Sequence, residues 1–133
     1  MEALSRGRRV IHLDTHVVMW LHQGDERPLR PVLARLEQSA LVVSPMVLVE
    51  LQVLYEIGRA KTPALDVFGE LSSAVGLAVT AVPFQDVARE AQALSWTRDP
   101  FDRLIAATAL ACNAPLLTRD RTMLANLPLA VWE

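Results

Sequence analysis

Acidic side chains hold the positions in this sequence from which chemistry is most readily built. Asp14 directly follows a short apolar run, and Asp120 follows another such run by two residues. Asp99 and Asp102 lie three residues apart at the start of an apolar helical pattern, so they share one face. Glu50 lies within a second apolar helical pattern, where a carboxylate with buried neighbours requires a cation. These acids are the candidate functional residues.

If the carboxylates converge, they favour a divalent metal ion. Packed carboxylates repel one another, and at least one would be driven to keep a proton unless a cation is bound. Oxygen ligands without a set of histidines and cysteines favour Mg²⁺ or Mn²⁺ over Zn²⁺. His12 and His16 are four residues apart but lack the glutamate of a zinc-binding helix, so a zinc site is not expected.

Each acid also has a purely structural interpretation. Asp14, Asp99 and Asp120 precede predicted helices, where aspartate is a favoured N-cap, and for Asp99 capping is the expected main role. Asp102 falls in a first helical turn, where an acid gains from the helix dipole. For Glu50 the alternatives are a water-facing turn or a salt bridge to an arginine. The joint pattern therefore carries more weight than any single acid.

The elements that must position these acids alternate along the chain. Short apolar runs predict strands, and apolar positions at helical spacing predict helices. The predicted strands cover residues 10–13, 40–43, 77–82, 116–118 and 129–132. The predicted helices cover residues 15–23, 28–39, 44–57, 63–75, 84–94, 100–112 and 121–125. The alternation predicts an α/β fold with a central, mainly parallel sheet of four or five strands, whose crevice lies outside the carboxyl ends of the strands.

Composition limits the class of protein without selecting a function. The 133 residues suit one domain spanning 1–133, and the hydrophobic share of 52% is enough for a buried core. The net charge of −2 excludes no partner, because a nucleic-acid enzyme can be basic only locally. Lys61 is the one lysine among 13 basic residues, an arginine bias that suits phosphate contacts but also follows from a GC-rich genome.

The cysteine content and hydropathy indicate an intracellular setting. Cys112 is the single cysteine, which excludes a disulfide framework and fits a reducing compartment. The sequence has no signal peptide pattern and no apolar stretch long enough to span a membrane. We therefore expect a cytoplasmic protein without a membrane-spanning segment.

Several segments together resemble the PIN domain family, specifically VapC-type toxins of VapBC toxin–antitoxin systems. These segments are Leu13-Asp14-Thr15-His16 followed by Trp20, Glu50 after Ser44-Pro45, Arg98-Asp99-Pro100-Phe101-Asp102-Arg103-Leu104-Ile105-Ala106-Ala107, and Leu117-Thr118-Arg119-Asp120. The segment beginning Asp-Pro-Phe-Asp is specific, whereas the others are weak alone. The resemblance implies a three-layer PIN-like fold with helices flanking the sheet, and an endoribonuclease that depends on Mg²⁺ or Mn²⁺.

The resemblance also implies roles and partners. Carried over position by position, the residues that hold the metal and carry catalysis are Asp14, Glu50, Asp102 and Asp120. Supporting roles fall to Asp99 and to two hydroxyl residues beside the acids, Thr15 and Thr118. The metal would activate a water for in-line attack on an RNA phosphodiester. The implied partners are an RNA substrate, a VapB-like antitoxin that inhibits the enzyme, and a second copy in a homodimer.

Basic and aromatic side chains near the acids have two interpretations each. The arginines that flank the acids are Arg98, Arg103, Arg119 and Arg121, which would bind RNA phosphates or instead neutralise the carboxylates. Trp96 would stack on a base or pack in the core. Trp20 and the apolar helix over 48–54 would line a groove for an antitoxin helix or belong to the core.

Other functions remain as alternatives. A catalytically inactive PIN-like module that binds RNA or a protein partner would keep the same fold. A phospho-acceptor receiver domain is less favoured, because Asp14 lacks a neighbouring acid and Lys61 lies in a turn. Residues 1–9 precede the first predicted strand and contain three arginines, so they form either a flexible basic arm that touches RNA or the product of a misassigned start codon.

Overall fold

A parallel sheet forms the centre of the computed structural model, which describes residues 8–133. Its strands are β1 (Val10–Leu13), β2 (Ala40–Val43), β3 (Ala78–Val79), β4 (Leu116–Leu117) and β5 (Ala130–Val131). The five strands lie in the order β3-β2-β1-β4-β5, and every neighbouring pair is parallel. The chain thus builds outward from β1 on one side, then returns to place β4 against β1 and continues on the other side.

Helices connect the strands and flank the sheet. They are α1 (Thr15–Gln23), α2 (Glu26–Leu29), α3 (Leu33–Gln38), α4 (Pro45–Glu56), α5 (Ala64–Val75), α6 (Phe84–Ala91), α7 (Pro100–Cys112) and α8 (Arg121–Asn126). The predicted α/β fold with a mainly parallel sheet of four or five strands is confirmed. Parallel neighbouring strands need a crossover connection between them, and the helices that alternate with the strands along the chain supply these connections.

One predicted helix was wrong in its continuity. The segment 28–39 is divided into the end of α2, a short 3₁₀ turn (Arg30–Val32) and α3. Pro31 lies within the turn, and proline lacks the N–H that an α-helix interior requires. The apolar spacing of the segment is still satisfied, because Val32 and Leu36 are both buried.

The central strands are buried on both faces. Ile11 and Leu13 of β1 are at most 1% exposed, and Leu116 and Leu117 of β4 are fully buried. This is the pattern expected of a parallel sheet covered by helices.

His12 lies between Ile11 and Leu13 in the sequence of β1, and its Nε2 is 2.8 Å from the Thr80 hydroxyl oxygen. Burial lowers the pKa of His12 to about 4, so its ring is neutral near pH 7.

The remaining expectations concern the ends of the chain and the membrane. The predicted basic arm of residues 1–9 lies mostly outside the described residues; Arg8 and Arg9 are within them and are exposed. Among the helices of residues 8–133, none has the length and apolar character needed to cross a bilayer.

Candidate active site

Asp14 lies at the carboxyl end of β1, beside the end of β4. The two strands are neighbours although the chain runs from β1 to β2 and β3 before reaching β4, so the sheet reverses its order here. In open parallel sheets, ligands bind at such a reversal. Asp14 is 7% exposed; its Oδ1 accepts from the Thr15 backbone N–H at 2.8 Å, and its Oδ2 accepts from the Thr118 hydroxyl at 2.6 Å. Asp14 is therefore both the N-cap of α1 and a rigidly oriented carboxylate.

Glu50 reaches the same place from α4. The Thr15 hydroxyl donates to Glu50 Oε1 at 2.5 Å, which joins the start of α1 to the middle of α4. Ser44 caps α4 by accepting from the Met46 N–H, and its hydroxyl lies 2.9 Å from that of Thr108 on α7. The cap and this contact set the position of α4, so the half-buried Glu50 side chain faces the end of β1 rather than bulk water.

Asp99 and Asp102 open α7 on the other side. Asp99 is the N-cap: its Oδ1 accepts from the N–H groups of Phe101 and Asp102 at 2.8 and 3.1 Å. The capping role expected for Asp99 is thus present. Asp102 is half-buried in the first turn of α7. The protonation of its carboxyl group therefore depends on this burial and on the surrounding charges.

Asp120 completes the group from the loop after β4. Its Oδ1 accepts from the Met123 N–H at 3.0 Å, and so caps α8. Its own N–H donates to the Thr118 hydroxyl oxygen at 3.0 Å. Thr118 therefore bonds Asp120 and Asp14 at once, which gives the predicted supporting role of this buried hydroxyl a geometric basis.

The carboxylates face one cleft of about 430 Å³, here called the acidic cleft. Its lining residues are Asp14, His16, Val17, Trp20, Glu50, Asp99, Asp102, Arg119 and Asp120. All four acids predicted to hold a metal, and the predicted supporting aspartate, line it together. Capping and cleft lining are thus compatible, because an ionised carboxylate has about four lone-pair sites on its two oxygens and a cap occupies only part of them.

Burial and the neighbouring negative charges perturb Asp102. Burial is the largest cause, and together with the negative charges of Asp99, Asp14, Asp120 and Glu50 it raises the pKa of Asp102 to about 7. A carboxyl with this pKa keeps its proton in a substantial fraction of molecules at neutral pH. The acids are therefore close enough to compete for charge.

The pKa values of Asp14 and Glu50 are shifted in the same direction as that of Asp102. Burial raises the pKa of Asp14, although the hydrogen bonds from the Thr118 hydroxyl and the Thr15 N–H act against it. Burial also raises the pKa of Glu50, against the hydrogen bond from Thr15. His16 favours the ionised form of both carboxylates, but it is a neighbour in the cleft rather than an ion-pair partner.

Comparison with known proteins assigns the family. The PIN domain family model matches residues 11–127. This chain belongs to the PIN domain family. Similar structures include VapBC2 of Rickettsia felis bound to a promoter DNA fragment, with 20% identity, a TM-score of 0.66 and coverage of 92% of this chain and 96% of that one. A toxin–antitoxin complex of Klebsiella pneumoniae has 21% identity, a TM-score of 0.66 and coverage of 91% and 95%. No curated protein matches the sequence.

The donors of this PIN domain fit a hydrated divalent ion better than a tightly enclosed one. Within residues 8–133, no three His, Cys, Asp or Glu side chains stand close enough to form a ready ligand cluster. The five acids nevertheless share one cleft, and the metal ligands that they offer are oxygen atoms. Mg²⁺ keeps several waters and binds through one or two carboxylates, whereas structural Zn²⁺ requires a closed set of nitrogen and sulfur ligands. The residues therefore fit Mg²⁺ or Mn²⁺ held partly through water.

No basic side chain neutralises the acids within the part of the chain that the structure describes. The ion pairs found there join His22 to Glu70, Arg27 to Asp25 and Arg89 to Asp86. The alternative that Glu50 is held by an arginine is thus not observed among these residues. Asp14, Glu50 and Asp102 are partly or fully buried, and buried carboxylates without a counter-ion favour the binding of a cation.

The predicted RNA-binding arginines of the PIN domain separate into different environments. Arg119 lines the acidic cleft. Arg103 instead points to the end of α6, where its guanidinium donates to the carbonyl oxygens of Ala91, Thr97 and Gln92 at 2.9, 3.3 and 3.4 Å. These backbone groups occupy Arg103, which gives it a structural role. Arg98 and Arg121 are exposed and lie outside the cleft lining, so their contact with RNA stays a prediction.

Besides the apolar Val17, two cleft residues of the PIN domain were not assigned to the site by sequence reasoning. His16 and Trp20 line the acidic cleft, and they lie four residues apart on α1, directly after Asp14. The spacing that places residues i and i+4 on one helical face could have identified them once Asp14 was accepted as functional. Trp96, in contrast, packs against the core.

Proposed function

We propose that this PIN domain is the toxin of a type II toxin–antitoxin system and acts as an endoribonuclease that depends on Mg²⁺ or Mn²⁺. The observation that carries the proposal is the acidic cleft at the order reversal of the sheet. It gathers five carboxylates that have no basic ion-pair partner among the described residues, and the pKa values of Asp14, Glu50 and Asp102 are raised there. Membership of a nuclease family and the likeness to two toxin–antitoxin structures support the same conclusion.

The chain's own residues would orient the cation and the RNA. Asp14, Glu50, Asp102 and Asp120 would hold one or two ions, directly or through water. Thr118 and Thr15 would keep the first two of these acids in position through the hydrogen bonds described above. A bound Mg²⁺ or Mn²⁺ would lower the pKa of a water and offset charge on a phosphodiester. Arg119, in the wall of the same cleft, would neutralise a neighbouring phosphate.

Asp14→Asn tests the proposed chemistry. The amide keeps an oxygen for capping α1 but loses the charge that attracts a cation. Because loss of a neighbour of a metal ligand already lowers metal affinity or activity by about 10–100-fold, we expect loss of a ligand to reduce RNA cleavage at least about 100-fold. Cleavage of total RNA is measured with added Mg²⁺ or Mn²⁺ and with a chelator.

The matched control is Asp66→Asn, which removes the same charge from an exposed position on α5. We expect this variant to cut RNA like the unmodified chain, and circular dichroism to give both variants a native spectrum. Full activity of Asp14→Asn, or cleavage that persists in the chelator, would contradict the mechanism. RNA binding without any cleavage would instead favour the inactive PIN-like module.

We further propose a VapB-like antitoxin partner and a homodimer. Val49, Val53 and Ile57 recur every four residues along and just beyond α4 and are 48%, 37% and 60% exposed. An apolar row of this spacing suits a helix from a partner. Induction of the chain in a bacterial host should arrest growth, and co-expression of the protein from the adjacent reading frame should relieve the arrest. Light scattering should give twice the chain mass of 14.7 kDa.

A further inference from the structure

An aromatic and basic wall borders the acidic cleft on one side. Trp20 and Arg119 line the cleft, and both also line a neighbouring depression of about 450 Å³ together with Asp25, Arg27 and Pro28. Because the two side chains are common to both cavities, they form the partition between them. A strand of nucleic acid that leaves the carboxylates in this direction must pass the indole and the guanidinium.

The fold, rather than a ligand, holds the indole of Trp20. The ring is half-buried and packs against the core, and the edge of Trp132 meets it with centroids 6.1 Å apart at 67°. His16 lies one helical turn earlier, with its ring centroid 6.2 Å from that of Trp20. A ring fixed in this way stacks on a ligand with little loss of side-chain entropy.

Arg119 is placed to bind a phosphate. Its guanidinium carbon lies 5.8 Å from the Trp20 ring centroid, near the outer limit of about 6 Å for a cation–π contact. The side chain is exposed, and among the described residues it has no carboxylate within ion-pair distance, although five line the same cleft. The guanidinium can therefore turn toward an anion without first breaking an ion pair.

We propose that Trp20 and Arg119 form a nucleotide subsite next to the acidic cleft, in which the indole stacks on the base and the guanidinium binds the phosphate of the nucleotide beside the cut. The inference rests on the proposed nuclease function. The carboxylates repel phosphate, so the neighbouring phosphate goes to Arg119, and the base of that nucleotide stacks on the Trp20 indole. Bases inside a duplex are already stacked and cannot reach a side chain, whereas an unpaired base can.

Single-stranded RNA oligonucleotides with one abasic position test the subsite without altering the protein. When the base beside the cut is removed, we expect KM to rise about tenfold, within the range measured for loss of one base–aromatic stack, while kcat stays nearly unchanged. Trp20→Leu should raise KM by the same factor and become insensitive to the abasic position. Trp20→Phe, which keeps an aromatic face, should retain most of the sensitivity.

Matched controls separate stacking from altered folding. Trp96→Phe changes an indole that packs against the core outside the cleft lining, and should leave KM and the abasic sensitivity unchanged. Arg119→Gln should lower the slope of log affinity against log salt by about 0.7, the value for one phosphate contact on a single strand. Arg121→Gln, an exposed arginine outside the cleft lining, should lower the slope by less.

The outcomes distinguish the subsite from the nuclease. If the unmodified chain cuts RNA but the abasic position has no effect on KM, the subsite is wrong and the nuclease stands. If no cleavage occurs with either metal, the nuclease is wrong, and fluorescence anisotropy with the same oligonucleotides still tests the subsite. A Trp20→Leu variant that binds these RNAs normally but fails to bind the antitoxin would assign the wall to a protein interface and overturn the inference.

Discussion

Individual carboxylates in this PIN domain combine a structural and a chemical task. Asp14, Asp99 and Asp120 each cap a helix, and each also lines the acidic cleft. Capping restricts the side chain to one orientation, so a carboxylate that caps is also a carboxylate aimed reproducibly. The two interpretations offered by the sequence are therefore not competitors at these positions.

Thr118 is the residue through which this orientation is best tested. Thr118→Val keeps the shape but leaves Asp14 Oδ2 without its donor. We expect a loss of about 1–3 kcal/mol in the free energy of unfolding, because a buried acceptor loses its hydrogen bond. We expect metal affinity and cleavage to fall about 10–100-fold, as for other residues that position a ligand. Thermal denaturation and Mn²⁺ titration measure the two effects.

The conservative variant Thr118→Ser checks that the hydroxyl is the cause. Serine restores the donor to Asp14 and the acceptor for the Asp120 N–H, so both stability and cleavage should recover most of the loss. Normal metal affinity in Thr118→Val would remove Thr118 from the positioning of the site.

At the scale of elements, Arg103 joins α7 to α6. It begins near the acids on α7 but ends on three carbonyl oxygens around the end of α6. These carbonyls belong to a helix end and the turn beyond it, where backbone acceptors lack intrahelical partners. The arginine satisfies them and thereby fixes the helix that carries Asp99 and Asp102 relative to its neighbour.

Arg103→Met should separate this structural role from RNA binding. The variant keeps an apolar stem but removes the donors, and we expect it to lose about 1–3 kcal/mol of stability by chemical denaturation. The KM for RNA should stay unchanged for the folded fraction. Arg98→Met, at an exposed position, should change stability by no more than about 0.5 kcal/mol. A raised KM with unchanged stability in Arg103→Met would return this residue to the RNA-binding set.

For the whole molecule, the acidic cleft opposes folding when no cation is bound. The pKa of Asp102 rises from 3.8 to about 7 on folding, and those of Asp14 and Glu50 also rise. A raised carboxyl pKa means that the folded state binds the proton more tightly than the unfolded state does. This contribution to stability is fully present below the unfolded pKa and is lost as pH rises through the folded pKa.

The acids of the metal-free cleft should therefore lower the melting temperature at pH 8 relative to pH 5.5, whereas buried His12, whose pKa is lowered to about 4, acts in the opposite direction over the same range. Asp102→Asn should reduce this difference, because it removes the group that titrates near pH 7, whereas Asp66→Asn should not. Differential scanning calorimetry in chelator measures both. The same pH dependence in Asp102→Asn as in the unmodified chain would contradict the electrostatic description of the cleft, because His12 is present in both.

Mn²⁺ should reverse the effect of pH. Protons compete with the cation for the same oxygens, so added Mn²⁺ should raise the melting temperature more at pH 8 than at pH 5.5. At a hundredfold excess over Kd the stabilisation approaches about 2.7 kcal/mol. An equal metal effect at both pH values would indicate that the cation binds away from Asp102.

Local chemistry made several features predictable from the sequence. Helices α1 and α7 and strands β1 and β2 have the predicted bounds, because apolar spacing, caps and stop residues act over only a few positions. Other bounds were less exact: the strand predicted over 77–82 spans Ala78–Val79, and the helix predicted over 84–94 ends at Ala91. The helix over 28–39 was interrupted because the effect of Pro31 on the backbone was not weighed, although its apolar spacing was correct. The acids singled out by type and position line one cleft in the structure, and the divalent metal that they would hold stays a prediction.

The sequence by itself determined the elements, the caps and the set of carboxylates, since each depends on neighbours along the chain. Only the tertiary structure decided that β4 lies beside β1, and so that Asp14 and Thr118, 104 residues apart, share a hydrogen bond. The same packing directed Arg103 to backbone carbonyls and placed Trp20 against Arg119 in the cleft wall. These outcomes follow from contacts between distant segments, whose geometry no local pattern encodes.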